Sequence, residues 1–205
     1  MDYLSLIDPG DLFDTGISYL SFTTLHSLLE KDLTRNMANN FTALAHAIGG
    51  SVLGFSYLWG RQDLLYYILK KHCTGYFLYD MVHILKYGKR NKLNAIFLYH
   101  HIASIYIIHQ DPLIYRGGEI FFLAELSNIP SYFVYYLLKN KSVDGAKLKL
   151  MKKIQFVLYI IIRWPIMGYI FGKSLMEVKN KNPFYMIIPV YIMGLFWSHN
   201  LWKNL

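Results

Sequence analysis

The sequence predicts an all-α fold, a polytopic integral membrane bundle with six core transmembrane helices and a seventh at the N-terminus. Three observations carry this. Of 205 residues, 54% are hydrophobic and only 17% charged, where a soluble domain averages about 25% charged. Apolar runs near the length that crosses about 30 Å of hydrocarbon recur along the chain. The positive charges are also sorted between alternate connections.

The runs cover 41–59, 64–85, 94–109, 117–138, 154–171 and 184–202. The second is interrupted by His72, Asp80 and His83, and the third is short and holds His100 and His101. The fourth contains Glu119, Glu125 and Asn128, and the fifth Arg163 and Pro165. A weaker candidate, 12–29, carries Asp14, His26 and several Ser and Thr residues. The connection 139–153 reads as the longest loop, with six lysines suited to lipid headgroups or to the phosphates of a cosubstrate.

The net charge of +8 would suggest nucleic acid in a soluble chain. Its distribution excludes that here. With seven spans, thirteen of the 21 Lys and Arg fall in 30–40, 86–93, 139–153 and the tail after Trp202, and five fall in the opposite set of connections. The positive-inside rule then sets a lumenal N-terminus and a cytoplasmic C-terminus. The acidic N-terminus (Asp2, Asp8, Asp11, Asp14) does not read as a cleavable signal. Cys73, the single cysteine, cannot form an intrachain disulfide and reads as a small core residue.

Polar residues at bilayer depth cost a few kcal/mol each and so face a protein interior. Here they recur at helical spacing. His72, Tyr76, Asp80 and His83 share one face, and His101 lies above Asn94, Phe97 and Ser104. Glu125, Asn128, Tyr132 and Tyr135 form a third stripe, and Gln155, Tyr159 and Arg163 a fourth. His46 stands above Gly50 and Gly54, a small-residue face for close packing. Facing inward, these stripes enclose a polar centre in which Arg163 is expected to pair with Glu125 or Asp80. Helix cohesion alone is the alternative reading. The pair His100-His101 is the densest chemical feature, since imidazole serves as base, nucleophile or metal ligand. No second His-x-x-His-His occurs, so no metal and no bound cofactor is expected.

Gly75-Tyr76-Phe77-Leu78-Tyr79-Asp80-Met81-Val82-His83, followed by Leu98-Tyr99-His100-His101, resembles the heart of a TLC domain. Arg35 to His46-Ala47, Glu125-Leu126-Ser127-Asn128-Ile129-Pro130, Arg163-Trp164-Pro165 and the aromatic-Asn ending at 196–202 follow in the family's order. The resemblance divides the chain into an N-terminal segment, 1–34, and a TLC-like transmembrane domain, 35–205. It implies six core spans around a lipid-accessible cavity, in an endoplasmic reticulum or other intracellular membrane. In ceramide synthases the His-His pair moves a fatty acyl group from acyl-CoA to an amine. They follow it with His-Asp-x-x-Asp, where this chain has Ala124-Glu125 and Asn128, so the TLC-only branch resembles it better. That branch is linked to phospholipid composition, lipid synthesis and trafficking.

The expected function is therefore lipid acyl transfer, from acyl-CoA to a lipid amine or hydroxyl. His100 or His101 would attack the thioester or deprotonate the acceptor, oriented by Asp80 or Glu125. Tyr76, Tyr79, His83, Asn128, Tyr132 and Arg163 would bind substrate. The alternatives are a non-enzymatic lipid-binding, lipid-composition-regulating or trafficking protein with the same cavity, and a transporter, for which no inverted repeat is visible. Membrane lipid and acyl-CoA are the expected partners, with a homodimer as an option for assembly.

Overall fold

A computed structural model describes residues 9–89, 91–140 and 144–205. Asp2 and Asp8 of the acidic N-terminus, and Arg90 and Lys141 of the basic connections, lie outside the described residues. Among the described residues the fold is all helical. It comprises α1 (Pro9–Leu29), α2 (Arg35–Gly60), α3 (Asp63–Tyr87), α4 (Lys92–Ile108), a single turn α5 (Pro112–Tyr115) and α6 (Gly117–Lys139). There follow α7 (Gly145–Ile161), a π-helical turn (Ile162–Ile166), α8 (Met167–Glu177) and α9 (Asn182–Lys203).

Each apolar run falls on a helical rod, the run 94–109 ending one residue past α4 at its cap His109. The local chemistry sets the ends. Asn91 caps α4 by accepting from Asn94 N at 2.9 Å, and Asp144 caps α7 by accepting from Ala146 N at 3.0 Å. Arg61 closes α2 in the left-handed region, φ 48°, where its N–H bonds Tyr57 O at 2.7 Å. The expected loop 139–153 is mostly helix: with Asp144 as cap, α7 starts at Gly145 and carries Lys147, Lys149, Lys152 and Lys153 on its first turns. Three rods are long and apolar enough to cross a membrane by length and composition: Arg35–Gly60, Gly145–Glu177 and Asn182–Lys203. α3 is diluted by Lys70, Lys71, His72 and Asp80, and α4 has only 17 residues.

The continuous 33-residue rod Gly145–Glu177 bends its hydrogen-bond ladder where Pro165, having no N–H, sits inside the π-turn. That widened turn carries Arg163 into the interior. α2 packs against α6 and α3, α1 against α3, and α4 against α3 and α9. At Gly54 the α2 and α6 backbones nearly touch: a Cβ there would stand 2.8 Å from Phe122 Cβ and 3.1 Å from its Cα. One apolar core runs through Leu69, Cys73, Phe77, Ile107, Ile108 and Phe184. Cys73 is buried and free, as expected of a core residue. Phe13, Trp59, Leu85, Tyr169 and Phe196 point outward, the apolar exterior that lipid rather than water would cover.

Candidate functional site

The helical stripes converge on one cavity of about 540 Å³. α2 contributes Asn36, Asn39, Asn40 and His46. α3 contributes Tyr76, Phe77 and Asp80, and α4 Asn94, Phe97, His100 and His101. α6 supplies Glu125, Asn128, Tyr132 and Tyr135, while Gln155, Tyr159 and Arg163 come from α7 and the π-turn. The cavity runs between helix ends at one side of the bundle (Asn36, Ile84, Asn94, Tyr135, Leu201) and the buried histidines. Along α2 that depth, Asn36 to His46, is about 15 Å at 1.5 Å per residue. The connections on that side are those carrying most of the basic residues.

A carboxylate and an imidazole meet at the heart of this space. His101 Nε2 donates to Asp80 Oδ2 at 2.8 Å. Asp80 thereby selects the Nε2–H tautomer and leaves the lone pair on Nδ1, a buried atom with no partner. The His101 ring stacks on Phe77, with centroids 5.1 Å apart, which fixes its plane. His100, the next residue on α4, turns about 100° away and also has an unpartnered buried Nδ1.

Glu125 takes a different partner. Its Oε1 lies 3.4 Å from His46 Nε2, its Oε2 accepts from Asn128 Nδ2 at 3.5 Å, and Gly50 leaves the room its side chain occupies. His46 lies flat on Tyr76, with ring centroids 3.8 Å apart and planes 8° apart. The expected ion pair of Arg163 with Glu125 or Asp80 is not among the ion pairs of the described residues. The π-turn instead aims the guanidinium at α6, where Nε donates to Ser127 Oγ at 2.8 Å. Nη2 donates to Ala124 O at 3.0 Å and to Asn128 Oδ1 at 3.2 Å. Asn128 thus bridges Arg163 and Glu125 through its two amide atoms.

A second, smaller cavity of about 50 Å³ continues from the first between α4, α6, α8 and α9. Ile107, Ile120, Phe121, Met167, Phe171 and Ile187 make it apolar. Phe77, His100, Glu125, Asn128, Arg163 and Val190 line both spaces. His100 and Arg163 therefore stand at a polar–apolar junction.

The cavity gathers His100, His101, Asp80, Glu125, Tyr76, Asn128, Tyr132 and Arg163, and leaves Tyr79 and His83 outside its lining. The reason is α1. Its His26 Nδ1 lies 2.5 Å from Tyr79 Oη, which also donates to Asn39 Oδ1 at 2.9 Å. His83 packs on the same His26, with centroids 5.0 Å apart. His46 is the principal lining residue that periodicity underweighted: it stood out for the glycines below it, and its pairing with Glu125 crosses 79 positions of sequence. Three nearby His, Cys, Asp or Glu residues in a metal-holding arrangement do not occur among the described residues.

An apolar helical bundle enclosing a polar, imidazole-lined cavity suits a membrane protein. The family model for the TLC domain matches residues 20–203, and the chain belongs to the TLC-domain family, which includes lipid-related membrane proteins. No curated protein and no solved structure matches the chain.

Proposed function

We propose that the protein is an intramembrane lipid acyltransferase, moving a fatty acyl group from acyl-CoA to a lipid amine or hydroxyl. The observation that carries this is the Asp80–His101 pair at 2.8 Å, beside His100, where a polar cavity meets an apolar one. The apolar space bounded by Ile107, Phe121 and Ile187 would take the first carbons of an acyl chain, with the reacting carbonyl beside His100, and at about 50 Å³ it must widen to take the rest. His101, held by Asp80, or its neighbour His100 attacks the thioester or removes the acceptor's proton. Arg163 and Asn128 sit where a developing oxyanion or a polar headgroup needs donors.

In this reading all seven long rods cross the membrane, α1, α3, α4 and α6 included, because the two- to five-residue connections 30–34, 61–62 and 88–91 return each rod through the same thickness. The N-terminus is lumenal and the C-terminus cytoplasmic, in the endoplasmic reticulum or another intracellular membrane. The rod Gly145–Glu177 is about 50 Å long. It therefore overhangs about 30 Å of hydrocarbon and presents the α7 lysines at the cavity mouth for the phosphates of CoA. The protein acts alone or as a homodimer and needs no bound cofactor.

The experiment is incubation of the purified protein in nanodiscs with radiolabelled palmitoyl-CoA and a mixture of phosphatidylethanolamine and a long-chain primary amine. Labelled acylated lipid, lost in His100→Ala/His101→Ala, is the expected result. No transfer by the wild type overturns it. A lipid that copurifies and is released on Glu125→Ala, without turnover, would instead mark a lipid-binding or trafficking protein.

A further inference from the structure

We propose that His46 and Glu125 form a second acid–base pair of this site, with His46 receiving the acceptor's proton. The proposal rests on the acyl-transfer reading and assigns a catalytic role to a residue outside the His-His pair. His46 is 1% exposed, yet it lines the cavity; its Nε2 pairs with Glu125 and its Nδ1 is a buried atom with no hydrogen-bond partner. A buried polar atom ordinarily has a partner, so the unpaired Nδ1 is what leaves His46 able to take up a proton. Its Nε2 faces the Glu125 carboxylate at 3.4 Å, close enough for the carboxylate to stabilise an imidazolium. Stacking on Tyr76 at 3.8 Å fixes the ring plane, and Glu125 is itself fixed by Asn128.

The two pairs flank the adjacent rings of α3. His46 lies on Tyr76 and His101 on Phe77. Both open on the same space, so one substrate can reach both. A site that brings two molecules together has two proton problems, one at the acyl donor and one at the acceptor. His46, opening on the same space as the Asp80–His101 pair, can serve both in turn. As the acceptor's oxygen or nitrogen bonds the acyl carbon, its O–H or N–H proton passes to His46. The carbon–sulfur bond breaks with its electron pair leaving on sulfur, and the proton held on His46 returns to that thiolate. The products are acylated lipid and the free thiol of CoA, and no oxidant or other reactant is consumed.

The test compares two acceptors in the palmitoyl-CoA assay. The lipid mixture needs base assistance at neutral pH, whereas hydroxylamine, already a neutral and strong nucleophile, does not. His46→Gln is expected to lower transfer to lipid by about 100-fold or more, the scale of general-base catalysis. Palmitoyl hydroxamate formation should stay within about threefold of wild type. Glu125→Gln, which keeps size and hydrogen bonding, should show the same selectivity and serves if His46→Gln does not fold. Equal loss with both acceptors, or no loss with either, overturns the pair while leaving the acyltransferase reading standing. A wild type inactive with both acceptors overturns the two together.

Discussion

Two regions of this bundle bury polar groups, and they differ in whether those groups are used up. In the seam between the start of α1 and α3, Lys71 donates to Asp11 O at 3.1 Å and pairs with the Asp11 carboxylate. Tyr67 donates to Asp14 at 2.5 Å, and nearby Tyr66 donates to Ile108 O at 2.7 Å. Each group there meets a fixed partner, and none of them lines either of the two cavities described above. In the space between α2, α3, α4 and α6, the imidazoles of His46, His100 and His101 keep buried nitrogens without partners. Burying a polar group unpaired costs about 1–3 kcal/mol. The seam avoids this cost and the cavity retains it, and the proposed site rests on that difference.

The contrast can be broken first at the cavity. His100→Ala/His101→Ala should lower acyl transfer per folded molecule by about 100-fold or more, and the melting temperature in detergent should also fall, because the Asp80 carboxylate loses the His101 partner it holds at 2.8 Å. Transfer per folded molecule that stays at the wild-type level would place the histidines with the seam.

Lys71→Met should show the reverse. It strands Asp11, and because the Asp11 side chain is 31% exposed the loss should stay near the lower end of the range for a broken buried pair, about 3 kcal/mol. Thermal unfolding reads this as a clear drop in melting temperature, with transfer per folded molecule unchanged.

Gly54→Ala tests whether the cavity depends on the α2–α6 approach. The added Cβ meets Phe122 backbone as well as side chain, so the helices must part at a cost of about 1–3 kcal/mol. Reduced lipid transfer together with a lowered melting temperature is expected. A stability loss without an activity loss would show that the cavity tolerates a wider spacing.

The smallest effect is expected at the exposed junction of α1 and α2. Arg35 Nε donates to Glu30 Oε1 at 2.7 Å and holds the Glu30 carboxyl below the usual carboxylate range. A depressed carboxylate pKa stabilises the folded state above the unfolded value and ceases to do so as pH falls through the folded value. Glu30→Gln should therefore lower the melting temperature slightly at about pH 7 and by less at about pH 3. An equal shift at both pH values would assign the effect to something other than the ion pair.

Much of the site was legible in the chain. Side chains three or four positions apart share a helix face whatever the surroundings, so the stripes Glu125–Asn128–Tyr132 and Gln155–Tyr159–Arg163 could be read directly, and both line the cavity. Tyr79 and His83 misled because periodicity names a face without naming what covers it, and α1 brings His26 there. Arg163 misled in another way. Opposite charge suggested an ion pair, but the π-turn at Pro165 directs the guanidinium to Ser127, Ala124 and Asn128.

The sequence by itself determined the helical class, the lengths of the apolar rods, the charge asymmetry between connections and the family, because these depend on composition and local period. The tertiary structure alone decided which carboxylate meets which histidine. Asp80 reaches His101 across 21 positions and Glu125 reaches His46 across 79. Those pairings depend on how rods rotate and how closely they approach, and at Gly50 and Gly54 the missing side chains allow α6 close enough to set the second of them.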